Sequence, residues 1–243
     1  MTTSDHTAVS APRSFSDRYL AIPTWARWML MMAMAMFVVV VVQGISDTSL
    51  LTAPTTSQTM LKWSIPLLLA GLGGLFSERA GVVNIGLEGM MILGTWCGAW
   101  GAFNWGPWGG LAAAAIGGAL GGLIHAIATI SFGVDQIVSG VAINILAPGL
   151  TRYLSERIFT TYEGGSQTQS PRVEGLGNIT IPFLAGGKIG DWRTPDPLGW
   201  LVKQDWFWVS DVAGVLKGLM LNVAYFTLIA IALAIFASWM LWK

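Results

Sequence analysis

The sequence predicts an all-α fold: a polytopic transmembrane helix bundle of about six membrane segments, one of them broken, with a long extracytoplasmic loop. Three observations carry that prediction. Of 243 residues, 53% are hydrophobic and 11% charged, against roughly 25% charged in an average soluble domain. Uncharged runs recur along the chain, several near the ~20 residues a membrane helix needs. Inside one apolar region, the stretch 77–94 reads SERAGVVNIGLEGMMILG and sets Glu78, Arg79, Asn84 and Glu88 among glycines. An ionisable group at bilayer depth costs about 3 kcal/mol or more, and lipid offers no hydrogen bonds to interrupted backbone. A plain anchor has no use for such a stretch. A discontinuous helix beside a polar pathway does.

Residues 1–27 are polar and read as a cytoplasmic tail, with Arg13, Arg18 and Arg27 holding it inside. The apolar run that follows is long and lacks a small-residue cleavage pattern, so no cleavable signal is expected. The transmembrane region spans 28–153. Its first segment, 28–45, contains Met29, Met31, Met32, Met34 and Met36, and with nothing polar beside them they read as lipid-facing packing. A Ser/Thr/Pro-rich loop covers 46–60. Residues 61–100 would reach about 60 Å as one straight helix, twice the bilayer core. The run must break, and SERAGVVN is the natural place. If the break separates two crossings there are six spans with both ends inside; if it is re-entrant there are five.

Trp96, Trp100, Trp105 and Trp108 gather around a turn at 104–107, as in an interfacial aromatic belt. The next span, 108–130, carries Gly110, Ala114, Gly118 and Gly122 at four-residue spacing, a smooth stripe that admits another helix. His125, near its end, reads as a hydrogen-bonded buried group rather than a proton relay. From 133 to 153, Gln136, Gly140 and Asn144 share one helix face with Ser139 beside them. Pro148 cannot donate to the Asn144 carbonyl, which leaves that oxygen available. This face is either a ligand contact or a polar seam between helices, and both readings stay open here.

Residues 154–217 hold half of the charged residues, four prolines and tryptophans at 192, 200, 206 and 208. They read as an ordered extracytoplasmic loop packed on the membrane surface. A sequon at Asn178 is of a kind common by chance. Residues 218–243 read as the last transmembrane helix, with interfacial Trp239 and Trp242. The formal net charge is zero, so nucleic acid is not an expected partner. Cys97 stands alone and reads as a small core residue. No metal-ligand spacing, nucleophile–base set or phosphate-binding GxxxxGK[ST] is present, so neither metal nor cofactor is expected and the chain is not itself an ATPase.

The string SERAGVVNIGLEGMM, followed by ILGTW, resembles the signature of permease subunits of bacterial ATP-binding-cassette importers, in the group of sugar, branched-chain amino acid and nucleoside permeases. Within that group it is most similar to the nucleoside type. The block DQIVSG at 135–140, running on through Ala142, Ile143 and Asn144, is similar to the same family's next motif. The likeness covers about 61–153 and also fits the final span. It implies a transport subunit rather than an enzyme, in a bacterial cell membrane, carrying nucleosides. A cytoplasmic ABC ATPase would drive it, a second related permease subunit would complete the pore, and an extracytoplasmic substrate-binding lipoprotein would deliver the cargo. Members of the family continue with a cytoplasmic loop and further spans, so this chain is expected to be C-terminally incomplete.

The resemblance also assigns roles. Asn84 opens the second half of the broken helix as its N-cap; Gly81, Gly86 and Gly89 let the break bend. Glu88, one turn on, is favoured by the helix dipole by roughly 0.3–1 kcal/mol, and Thr95 follows two turns later. Glu88 either accepts hydrogen bonds from ribose or base, or pairs with Arg79 or another helix to hold the break. Glu78 and Arg79 sit at the membrane edge. The expected pathway or broken-helix set is therefore Asn84, Gly86, Glu88, Gly89, Thr95, Gln136, Ser139 and Asn144. Competing readings are a permease for simple sugars or branched-chain amino acids, an ion-coupled carrier using Glu88 and His125, and an inactive truncated permease.

Overall fold

The structure, a computed structural model, describes residues 22–46, 50–189, 191–204, 206 and 209–242. Most of the predicted tail, and Trp208, lie outside these residues. Among them, four helices are long and apolar enough to cross a membrane, and a shorter apolar helix follows. Helix α1 (Thr24–Ser46) begins before the expected residue 28 and makes little contact with the rest. It buries Val40 and Gln43, while Met29, Met31, Met32 and Met34 are exposed. Helix α2 spans Pro54–Arg79, with proline in its first turn where no amide partner is lost.

The longest helix, α3 (Leu87–Ala126), is two helices joined at Gly106, whose φ of 75° and ψ of −179° reverse the chain just before Pro107. The two arms pack against each other. Gly98 lies against Ala114, and Cys97 packs onto Gly117. The predicted small-residue stripe is thus the inner face of a hairpin, with the first arm as its partner. A π-helical turn, Ile127–Ser131, ends the second arm. Helix α4 (Gln136–Ile158) is capped by Asp135, whose carboxylate accepts the amides of Ile137 at 2.9 Å and Val138 at 3.1 Å. It runs on through Pro148.

Contacts fix the directions. The first turn of α3 returns beside Gly73 and Gly74 of α2, so the chain reverses at the break. Gly86 meets Gly140, and Trp96 meets Ser155, so α4 runs parallel to the first arm of α3. With the α3 hairpin counted as two, the apolar segments among the described residues number six, and the break separates two of them. The described bundle therefore has a break end, near residues 80–86, and an opposite end bearing the segment 159–224.

That segment carries short elements along its described residues. It contains β1 (Asn178–Ile179), a small hairpin of β2 (Lys188–Ile189) and β3 (Trp192–Arg193), then helix α5 (Pro197–Lys203) and helix α6 (Val209–Met220). Helix α6 buries Ala213, Gly214 and Gly218 against Thr52, Pro54 and Ser57 at the start of α2. Gln43 donates to Thr52 at 2.9 Å and Thr52 to Asp211, tying α1, α2 and α6 together. Helix α6 stops at Met220. Strand β4 (Val223–Ala224) pairs antiparallel with β1, and helix α7 (Tyr225–Leu241) begins only after it. The final apolar helix thus starts later than residue 218. The polar backbone turn at Asn222, with φ of 49°, separates it from the amphipathic α6.

Candidate functional site

Helix α2 closes with a left-handed Gly81, φ 76°. The Val82 amide returns to the Ser77 carbonyl at 2.9 Å, and the Gly81 amide to Glu78 at 3.0 Å. This is the Schellman arrangement that satisfies orphan carbonyls at a helix end. Residues 82–84 are irregular and Ile85 and Gly86 turn the chain into α3, so the amides and carbonyls in between need partners.

Helix α4 supplies them. The Val83 amide donates to Gln136 Oε1 at 2.8 Å. The Gly89 amide donates to Asn144 Oδ1 at 2.7 Å, and Asn144 Nδ2 donates to the Ile85 carbonyl at 2.9 Å. Between these two amide side chains the backbones touch. A Cβ on Gly140 would lie 2.8 Å from the Gly86 nitrogen, and one on Gly86 would lie 3.1 Å from the Gly140 Cα. The polar face Gln136–Gly140–Asn144 is therefore a seam that binds the break, and both amide side chains are spent on backbone.

This corrects the expected capping. The N-cap of α3 is Gly86, with no side-chain cap of its own. Asn84 donates instead to Met90 Sδ at 3.6 Å, and its Oδ1 is buried without a partner among the described residues. The third amide of the helix, that of Gly89, is capped from a different helix by Asn144. A local asparagine is not needed where a neighbouring one already reaches the orphan donor.

Ser139, on the adjoining face of α4, is buried and lies 2.9 Å from His125 Nδ1. The histidine is itself buried, and its Nε2 has no partner among the described residues. Glu88 is exposed, with no hydrogen bond or ion pair among the described residues. Arg79 does not pair with it; the guanidinium lies 5.4 Å from the Trp242 ring centroid. Asn84, Gly86, Glu88, Gly89, Gln136, Ser139 and Asn144 thus gather at the break.

Thr95 does not join them. It bonds to the Met91 carbonyl of its own helix and lines a separate cavity of about 630 Å³ toward the loop-bearing end, between α3 and α4. There Trp96 Nε1 donates to Ser155 at 2.9 Å and its ring stacks on Phe159, centroids 5.4 Å apart. Gln167 and Gln169 from the following loop close one side. The sequence groups Trp96 with the interfacial tryptophans, and a serine in register on α4 is the signal that places it instead against α4.

The chain matches the family described as branched-chain amino acid transport system / permease component over residues 56–243. It is 45% identical to the guanosine ABC transporter permease protein NupQ of Bacillus subtilis over 135 residues, half of this chain and 41% of that protein. It is 36% identical to the nucleoside ABC transporter permease protein NupC of Lactococcus lactis subsp. cremoris, over 54% of this chain and 43% of that protein. The glucose ABC transporter permease protein TsgB13 of Haloferax volcanii is 30% identical over 59% of this chain and 38% of its own length. The chain thus spans about two fifths of the length of the curated relatives it matches. No solved structure matches it.

Proposed function

The chain belongs to the family of branched-chain amino acid transport system permease components and is a multi-pass membrane protein, and from that premise we propose that it forms part of the translocation pathway of an ABC importer for nucleosides. The observation that carries this reading is the family match over residues 56–243, together with the polar connection 80–86, which Gln136 and Asn144 of α4 bind at one end of the apolar bundle. The identity to permeases named for guanosine and nucleosides supports the cargo.

In this reading the residues at the break divide by role. Gln136, Ser139, Asn144, Gly86 and Gly89 fix the broken backbone, while the free carboxylate of Glu88 and, farther along, Thr95 face the path. Asn84 sits beside the break with its carbonyl oxygen unspent. The loop-bearing end is extracytoplasmic, where a substrate-binding lipoprotein delivers cargo. A cytoplasmic ATPase supplies the energy, and a second related permease subunit completes the pore. Glucose is the second reading of the cargo, resting on the permease named for it in Haloferax volcanii.

The test is uptake of radiolabelled guanosine by cells with the gene intact, deleted, and restored together with its partner subunits. The expected result is uptake that requires the gene and the ATPase and competes with unlabelled nucleosides. Competition by glucose alone would transfer the assignment to the sugar reading. Uptake that persists without any ATPase but collapses with a protonophore would replace it with an ion-coupled carrier.

A further inference from the structure

We propose that the cavity between α3 and α4 is a stacking site for the nucleobase, with Trp96 as its specificity-determining residue. The inference rests on the nucleoside reading above and gives that cargo a definite place. The cavity, about 630 Å³, lies within the ~300–1,000 Å³ usual for small-molecule sites. Its shape is set before any ligand arrives. Trp96 is fixed at two points, by the bond from its indole nitrogen to Ser155 and by its stack on the buried Phe159, whose plane is inclined only 25° to it. A large aromatic surface held in one orientation suits a flat ring, because no rotamer freedom is left to lose on binding.

The polar groups have the matching chemistry. Ser155 is 6% exposed. It accepts the Trp96 N–H, and its own proton has no acceptor among the described residues. The neighbouring Thr151 hydroxyl, by contrast, is already committed to the Ala147 and Pro148 carbonyls. A buried hydroxyl with a donor to spare, on a wall beside an aromatic ring, fits a ring nitrogen or carbonyl of a base. On the rim, Arg152 and Gln167 approach at 3.5 Å, and Gln169 lies on a turn closed by a 2.8 Å backbone bond to Ser166. Amides that both donate and accept suit a base edge. No carboxylate lines the cavity, so it has nothing to hold a cation. A base is flat and carries donors and acceptors around its perimeter; a branched-chain amino acid offers neither property.

The experiment is photolabelling of the membrane-embedded transporter with 8-azidoguanosine, followed by peptide mapping, with guanosine uptake measured in the same cells. The expected result is labelling within the peptides carrying Trp96 or Ser155, competed by guanosine and not by glucose. Trp96→Ala is expected to abolish this label, and Trp96→Phe, which keeps the stack on Phe159, to restore most of it. Ser155→Ala is expected to weaken competition by guanosine several-fold, with the label kept. Label that maps elsewhere while guanosine uptake stays intact overturns this site and leaves the nucleoside reading standing. Label unchanged in Trp96→Ala does the same. Absence of guanosine uptake in the wild type overturns the nucleoside reading itself.

Discussion

Two of the interruptions between the described helices, at residues 80–86 and 221–224, are repaired by different means. At residues 80–86 the partners are side-chain amides from another helix, Gln136 and Asn144, with two glycines pressed together between them. At residues 221–224 the partners are mostly backbone. Strand β4 pairs with β1, Gln58 donates to the Leu221 carbonyl at 3.1 Å, and Thr180 accepts the Asn222 amide at 3.1 Å. The second interruption lies at the end where a loop of some sixty residues is at hand to supply a strand. The first lies at the other end, where its neighbours are helices whose own backbone is already paired. There only a side chain can serve, and only glycine lets it come close enough.

The sharpest way to break this comparison is at Gly140. Gly140→Ala drives a methyl into the Gly86 backbone and is expected to cost about 1–3 kcal/mol, read as a fall of several degrees in the melting temperature of the detergent-solubilised protein. Gly149→Ala, on the same helix but facing open space, is expected to be neutral or to gain up to about 1 kcal/mol. Equal losses at both positions would mean that the close approach of α3 to α4 is not what holds the break.

Next in size is the contrast between two asparagines. Asn144→Ala strands the Gly89 amide and the Ile85 carbonyl together and is expected to cost about 1–3 kcal/mol. Asn84→Ala is expected to cost less than about 0.5 kcal/mol, since Asn84 caps nothing and makes only a long bond to sulfur. The reverse order in a melting comparison would return the capping role to Asn84. At the second interruption, Thr180→Val removes two exposed bonds to Asn222 and is expected to cost about 0.5–1 kcal/mol. The pairing of β1 with β4 remains in place, so the same measurement should show a smaller loss than at Asn144.

Much of this was legible in the sequence. Hydropathy located the apolar segments, because a lipid-facing helix has no other way to be written. Polar residues inside an apolar run marked the first break, and the turn at 104–107 was visible from Gly106 and Pro107. The sequence placed Gln136, Gly140 and Asn144 on one face but not what that face meets. The cap on Gly89 comes from a residue 55 positions away, and N-cap statistics describe local partners only. The second interruption left almost no trace. Residues 218–242 are apolar enough to read as one helix, and only Asn222 hints otherwise. The residues that meet this turn, Thr180 against Asn222 and Asn178 against Ala224, lie about forty residues upstream in a stretch without periodicity. The Trp96 cavity was hidden for a related reason: tryptophans near a membrane end read as an interfacial belt whether they face lipid or an interior.

The smallest effect concerns what anchors the loop-bearing end. Lys217 of α6 lies 2.6 Å from Asp196, which also caps α5 by accepting the Gly199 amide at 2.7 Å. Partial burial pushes the Asp196 carboxyl upward, but the bonds from Lys217 and Gly199 and the charges of Lys217 and Lys203 outweigh it, so its pKa falls below the ordinary value of 3.8. In the window between that lowered value and about pH 4, the unfolded chain binds more protons than the folded one, so stability rises with pH there. The contribution is complete above about pH 4 and is lost as acid drives the pH down through the folded value. Asp196 is more than a third exposed, and solvent screening keeps the effect small. Melting temperatures of the wild type and Asp196→Asn should therefore differ at neutral pH and converge as the pH drops below 4. No gap even at neutral pH would mean that Asp196 acts through its cap on Gly199, which the asparagine oxygen supplies equally well, and not through its charge.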